Sequence, residues 1–358
     1  MAGQRTSALS EARFRISGFG SAYPSGVVTN QDLAYQLGVN AEWIESRCGI
    51  QSRCVATPGE TTNSLAVAAA EKALARASSF QPDCLICATF TPDYQLCPSA
   101  PAIASSLGLG PIAAFDLNAA CSGGMMGLLT ALSLIAAGTF ERILLVASDT
   151  TTRHLASDDL RTRVLFGDGA AALLLEGDPV CGISIRSWVA GSDGAGAQLF
   201  HIPSGASEVS MHGRELFRFA AQKGSEMLTA ACSLAELSSS EIDCVLVHQA
   251  NLRIIESLQD RTGIAPEKWL VNIGGIGNTA APSVLLALVD LLNVREPDDG
   301  ARILVGAFGA GLTWCAAVLE WGVPAEIMQS GLEADLISES KSGCASEHGR
   351  AAEHIHPA

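Results

Sequence analysis

Three short segments carry side chains able to do chemistry together. Cys121 stands in Asn118-Ala-Ala-Cys121-Ser-Gly-Gly-Met-Met-Gly-Leu-Leu, His248 in His248-Gln-Ala-Asn251, and Asn278 in Gly277-Asn278-Thr-Ala-Ala-Pro. A cysteine opening a helix of small apolar residues faces unpaired backbone N–H groups and the positive end of the helix dipole. That placing predicts thiolate over thiol. A thiolate beside two nitrogen donors suits the acceptance of an acyl group. Gly123 and Gly124, with no side chains, leave room for a substrate next to the sulfur.

Each residue also has an ordinary structural reading. Most free cysteines are small buried hydrophobes, and this chain has 11 of them. Cys121 differs by its place at a helix start after a turn. His248 follows Val245-Leu-Val, at a strand end, where the ligand crevice of an open α/β sheet lies. The competing reading is a structural histidine, although His201, His348, His354 and His356 fall in loop or tail and leave few others for a core site. Asn278 taken alone is as well a turn or N-cap residue.

Other signals lack their partners. Cys84 and Cys87 have the spacing of a metal or redox pair but lie inside an apolar run with no second pair at zinc spacing. Gly18-Phe-Gly20 lacks the third glycine of a dinucleotide fingerprint, and no Gly-Lys-Ser/Thr loop occurs. The expectation is a site with no metal and no cofactor.

The elements that must position these residues come in two copies. Phe166-Gly-Asp-Gly-Ala-Ala-Ala-Leu-Leu-Leu-Glu176 echoes Phe308-Gly-Ala-Gly-Leu-Thr-Trp-Cys-Ala-Ala-Val-Leu-Glu320, and Asp83-Cys-Leu-Ile-Cys-Ala echoes Asp243-Cys-Val-Leu-Val-His. Each copy reads as a strand (Phe14 to Gly18; Ile183 to Val189), a long helix (Thr61 to Ala77; Arg214 to Leu237), a buried strand (Cys84 to Thr89; Cys244 to Val247) and then a site residue. Continuous apolar strands between helices imply a sheet covered on both faces. The fold class is therefore α/β, built from a duplicated unit with halves at 1–180 and 181–321. Cys121 and Asn278 are expected in equivalent places, with His248 between them. From Gly322 the chain turns small, polar and charged. The segment 322–358 is expected to be a mobile tail with a short helix over Ala325 to Leu336.

Bulk composition agrees. In 358 residues, 48% are hydrophobic and 16% charged, enough for a large core, but only 5% are aromatic. That core must close through Ala, Leu, Val and Gly at short backbone distances. A net charge of −15 without a long Lys/Arg run argues against nucleic acid. An odd number of cysteines scattered through apolar runs points to a reducing cytoplasm. Met1 to Ile16 has no apolar signal core, and Met125 to Phe140 falls short of the ~20 residues a membrane span needs.

Taken in order, the motifs resemble the β-ketoacyl-acyl-carrier-protein synthase III group of thiolase-fold condensing enzymes, from about Arg15 to Trp321. They are Glu42-Trp43-Ile44 with Arg47-Cys-Gly49-Ile50, the Cys121 segment, Phe166-Gly-Asp-Gly169, His248-Gln-Ala-Asn251-Leu-Arg253, Gly277-Asn278-Thr279 and Phe308-Gly-Ala-Gly311-Leu-Thr-Trp314. The resemblance implies α-β-α-β-α layers, a homodimer and an acyl carrier protein as partner. It implies that Cys121 accepts the acyl group while His248 and Asn278 hold the extender carbonyl through decarboxylation and Claisen condensation. The backbone N–H groups of Cys121 and Ala310 would hold the tetrahedral oxyanion, and Phe308 would shield the site from water. Trp43, Arg47 and Asn251 would line the tunnel for a phosphopantetheine arm. Cys97 would close the acyl pocket of the partner subunit. Arg214, Arg218, Arg253 and Arg261 form either a solvated helix face or a dock for the acidic carrier. Leu160 stands where housekeeping members have an arginine that contacts coenzyme A, with Arg161 one step on, and Cys97 where short-chain members often have phenylalanine. Both lean toward a specialised-metabolism member with longer or unusual acyl groups. The alternatives are a synthase joining two carrier-bound acyl chains and a non-condensing acyltransferase onto an alcohol or amine.

Overall fold

The computed structural model describes residues 12–178 and 182–322. The expected mobile tail and its helix lie outside them, apart from Gly322. Nine strands form one sheet in the order β11-β12-β13-β8-β1-β7-β6-β4-β5. They are β1 (Arg13–Ala22), β4 (Cys84–Ala88), β5 (Ala113–Leu117), β6 (Arg142–Asp149), β7 (Gly169–Gly177), β8 (Ile183–Ser192), β11 (Cys244–Val247), β12 (Arg302–Gly309) and β13 (Thr313–Glu320). Two short antiparallel pairs stand apart, β2 (Gly26–Thr29) with β3 (Ser52–Val55) and β9 (Phe200–His201) with β10 (Ser210–Met211).

The sheet is two half-sheets joined at β1 and β8, where Arg13 pairs with Ser184 and Phe14 with Ile183. In one half β4 runs parallel to β5 and β6, and β6 antiparallel to β7. In the other, β11 runs parallel to β12, and β12 antiparallel to β13. An isolated parallel bridge from Val245 to Trp269 stands where a fifth strand would complete the match.

Helices Gly123–Ala136 and Ser283–Val294 lie between the half-sheets. Ser283 through Val289 are all buried, as a helix that is apolar on every face requires. Helices Thr62–Arg76 and Ser99–Ser106 cover the outer face of the first half, and Gly213–Leu234 with Leu252–Thr262 that of the second. Five layers result. Gly–Ala contact replaces aromatic bulk: a Cβ on Gly18 would lie 2.3 Å from Ala73 O, and one on Gly20 2.3 Å from Ala69 O. The Thr62–Arg76 helix can press this closely only because Ala66, Ala69, Ala70 and Ala73 meet the sheet.

Between β2 and β3 the chain leaves the layers to form helices Asn30–Leu37 and Ala41–Cys48. Thr29 and Asp32 make a capping box at the first, and Asn40 caps the second. Leu33, Ile44, Cys48 and Ile50 pack with Val164 and Ile273, and Gln51 N–H donates to Gly274 O at 2.8 Å. This excursion is thereby clamped beside the Asn278 turn.

Candidate active site

Cys121 lies on a 3-10 turn, Ala120–Ser122, that leads from β5 into the Gly123–Ala136 helix. Asn118 Oδ1 accepts from Ala120 N–H at 3.0 Å, and Ala120 has φ +49°. A non-glycine residue held there costs on the order of 1–3 kcal/mol, strain typical of functional sites. Ser122 Oγ donates to Ala119 O at 2.8 Å and lies 2.9 Å from Thr313 Oγ1, which fastens the turn to β13. Gly309 closes it from β12: a Cβ there would sit 2.8 Å from Cys121 N and 2.9 Å from Ser122 N. Only glycine leaves that N–H open to a ligand.

His248 directly follows β11, its N–H donating to Gly306 O at 2.9 Å. Phe308 from the adjacent β12 meets its ring edge-on, with centroids 5.4 Å apart. Asn278 is clasped by two backbone bonds, its N–H donating to Leu165 O at 2.8 Å and its carbonyl accepting from Gly167 N–H at 3.0 Å. Its Oδ1 accepts from Ala280 N–H at 3.0 Å, so the amide NH₂ remains for a substrate. Contacts connect the three residues, from Cys121 through Gly309 and Phe308 to His248, and through Gly123, Gly124 and Ala281 to the Asn278 turn. A Cβ on Gly123 would lie 3.3 Å from Ala281 Cβ, and one on Gly124 2.3 Å from Ala281 O.

The expected equivalence of Cys121 and Asn278 is not what the structure has. Asn278 matches Asn118, which caps the second residue after it in the same way, and Ala280 with φ +64° matches Ala120. Cys121 therefore corresponds to Ala281. The core elements β4 and β11, β6 and β12, and the two central helices share this spacing of 160 residues. Shape echoes in the sequence resolved the duplication to its unit but not to its register.

Protonation also departs from expectation. Cys121 is 4% exposed and His248 2%. Burial, followed by the negative charge of Asp149, pushes the Cys121 thiol up to about 12. Burial pulls His248 down to about 3. Desolvation outweighs the helix dipole, and the resting pair is thiol and neutral imidazole. His248 Nδ1 is buried without a partner. Because an orphaned buried N–H is rarer than an orphaned acceptor, the proton belongs on Nε2. Alkylation of Cys121 by iodoacetamide is accordingly expected to keep rising through pH 10, whereas an ordinary cysteine levels off above its pKa near ~8.5. A plateau below pH 9 would contradict the burial argument.

A cavity of about 780 Å³ opens beside the Asn278 turn. Trp43, Arg47, Arg161, Arg214, Asn251 and Leu165 are among its lining residues. Trp43 and Arg47 stack at 5.5 Å from one helix, and Asn251 Nδ2 donates to Arg47 O at 3.3 Å. Cys121, His248 and Asn278 do not line it; Leu165, which does, is bonded to Asn278. Arg161 is held by Asp159 at 2.9 Å, so an arginine stands in this cavity although Leu160 aligns with the family position. Of the four suspected docking arginines, Arg214 lines the cavity and Arg253 opens the helix capped by Asn251. Arg218 is exposed one turn further along its helix. Arg261 sits in the last turn of Leu252–Thr262, about 12 Å along the axis from Arg253 and away from the mouth. Cys97 is exposed and does not line this cavity. Ala310 follows Gly309 at the end of β12, and its carbonyl accepts from Thr313 Oγ1 at 3.1 Å.

Comparison with known proteins fixes the family. Residues 115–197 match the model for 3-oxoacyl-[acyl-carrier-protein] synthase III, and residues 232–321 the model for its C-terminal part. The beta-ketoacyl-[acyl-carrier-protein] synthase III 3 of Streptomyces coelicolor is 40% identical over 86% of this chain and 96% of its own. The chain belongs to the 3-oxoacyl-[acyl-carrier-protein] synthase III family. Among solved synthase III structures, that from Pseudomonas aeruginosa PAO1 superposes with a TM-score of 0.82 at 35% identity, covering 86% of this chain and 98% of that one. The priming beta-ketosynthase of the R1128 polyketide pathway gives 0.80 at 32%, covering 90% and 99%. The fold is thiolase-like and the chain is an acyltransferase of the condensing type, as the motifs implied. Gly309 and Thr313 lie inside the Phe308-to-Trp314 motif, which by itself assigns neither a role, and Asp149 ends an apolar run with no local pattern to mark it.

Proposed function

We propose that this synthase III loads an acyl group onto Cys121 and condenses it with a malonyl unit carried by an acyl carrier protein. The observation that carries the reading is the pairing of a buried thiol beside Gly309 with two neutral donors, His248 Nε2–H and the Asn278 amide. Cys121 sulfur attacks the acyl thioester, the sulfur–carbon bond of the donor breaks, and the departing thiolate takes the thiol proton. The malonyl carbon–carbon bond then breaks, CO₂ leaves, and the electron pair passes to an enolate whose oxygen accepts from His248 and Asn278. The enolate carbon attacks the acyl carbonyl while the N–H groups of Cys121 and Ala310 hold the oxyanion. Collapse expels the Cys121 thiolate, which takes a proton from solvent. No cofactor beyond the phosphopantetheine thioester enters these steps.

The cavity supplies the entrance, its lining carrying Arg47, Arg161 and Arg214 on a chain of net charge −15. A local basic lining on an acidic body suits an acidic carrier. Homodimerisation is supported by β5, an end strand of the sheet. Its Asp116 caps the helix that follows the loop of Tyr94, 62% exposed, and Leu96, 95% exposed, next to Cys97. An apolar edge of this kind invites a second copy, with Cys97 then facing the partner's acyl pocket. Small Cys97 in place of phenylalanine supports longer or unusual acyl groups and a specialised-metabolism role. The nine unpaired cysteines among the described residues support a cytoplasmic setting.

Intact and native mass analysis with a panel of acyl-coenzyme A and acyl-carrier donors, followed by labelled malonyl-carrier, tests the reading. A single acyl adduct, a mass of two chains and released CO₂ are expected. An adduct that passes to an alcohol or amine without CO₂ would replace this reading with the non-condensing one.

A further inference from the structure

Asp149, the last residue of β6, is completely buried and no part of the steps above uses it. Its Oδ1 accepts from Thr89 Oγ1 at 3.0 Å, Phe90 N–H at 3.0 Å, Thr91 N–H at 3.3 Å and Thr91 Oγ1 at 2.9 Å. Its Oδ2 accepts from Ala281 N–H at 2.9 Å. Every one of these donors is neutral. A carboxylate buried without a cation is costly and is retained where its hydrogen bonds serve a purpose.

The duplication shows what that purpose is. Counted at the same 160-residue spacing, Asp149 corresponds to Gly309 and Ala281 to Cys121. In one half a carboxylate occupies the space before the Ala281 N–H. In the other, the absent side chain leaves that space open before the Cys121 N–H, where a Cβ would come within 2.8 Å of the nitrogen. Ala281 also touches Gly123 and Gly124 at the start of the Cys121 helix, three residues past Asn278. We propose that Asp149 is a positioning residue of the condensing site: it permanently fills the duplicate of the oxyanion position and, by holding Ala281, sets the spacing between Asn278 and Cys121.

Ionisable groups on the elements packed around it are Cys87 on β4, Asp93 in the loop after it, Cys121 before its helix, and Asp168 beside Gly169, the register partner of Asp149. Burial raises Asp149 to about 7, and its charge bears on Cys121.

The test is Asp149→Asn in the full chain. The asparagine NH₂ must face either Ala281 N–H or the threonine cluster, donor against donor. The expected result is a kcat for condensation about 100-fold lower, the usual cost of an ~1 Å misplacement, with KM for the acyl donor unchanged. Iodoacetamide should also alkylate Cys121 about tenfold faster at pH 8, because a buried like charge is gone. A merely structural acid would lower the melting temperature without moving that pH profile. Should Asp149→Asn not fold, Thr89→Val, which removes one donor from Oδ1, decides instead: a fall of about tenfold in kcat at constant KM, roughly the worth of one hydrogen bond to a charged group, is expected. Wild-type kcat and alkylation in a folded variant overturn the proposal. It rests on the condensing reading, which CO₂ release by the wild type tests separately, while alkylation reports on Asp149 even if no CO₂ appears.

Discussion

Cys121→Ala is expected to abolish the acyl-enzyme and to lower condensation by about 10⁴-fold or more, the scale on which loss of a nucleophile acts. The change removes one sulfur from a 4% exposed site. It leaves intact the Asn118 cap, the Ser122–Thr313 link and the Gly309 contact that shape the turn, so the fold should survive. His248 and Asn278 keep their places, and decarboxylation of malonyl-carrier should therefore persist without a product to show for it. Intact mass and CO₂ release measured side by side check both halves. An acyl adduct on the variant would move the nucleophile to another cysteine.

His248→Ala should have the complementary effect. Decarboxylation is expected to fall 10²–10³-fold, about 3–4 kcal/mol, the usual cost of losing one oxyanion donor. Acylation of Cys121 should suffer less, because the leaving thiolate itself takes the thiol proton. The depressed basicity of His248 adds a sign. Burial holds its pKa near 3, so the imidazole is neutral at every working pH, and wild-type condensation should show no inflection near ~6.5, the ordinary histidine value. A rate that climbs through pH 6 to 7 and loses that climb in His248→Ala would mean that the ring titrates in place and that desolvation has been overrated.

Much of the fold was legible in the chain. Apolar runs at Cys84–Ala88 and Cys244–Val247, long helical patterns at Thr62–Arg76 and Gly213–Leu234, and the paired Gly-rich echoes gave the duplicated α/β order, because strand and helix periodicity are local properties. β1 runs past the expected Gly18 to Ala22, and Gly20 lies within it in close contact with Ala69. Arg261 shares a helix with Arg253, and a shared helix does not say how near its far end lies to a cavity on another element.

By itself the sequence determined the types of the reacting groups, the order of the elements that hold them, and the small-residue composition that lets those elements approach. Tertiary structure alone decided that Cys121 rests as a thiol, that Asn118 and not Cys121 is the counterpart of Asn278, and that Asp149 stands behind Ala281. The reason is physical. Propensity and periodicity act within a few residues, whereas desolvation and hydrogen bonding at a buried site are set by groups more than 100 residues apart, as with Asp149 and Ala281, and they exist only once the chain has closed around them.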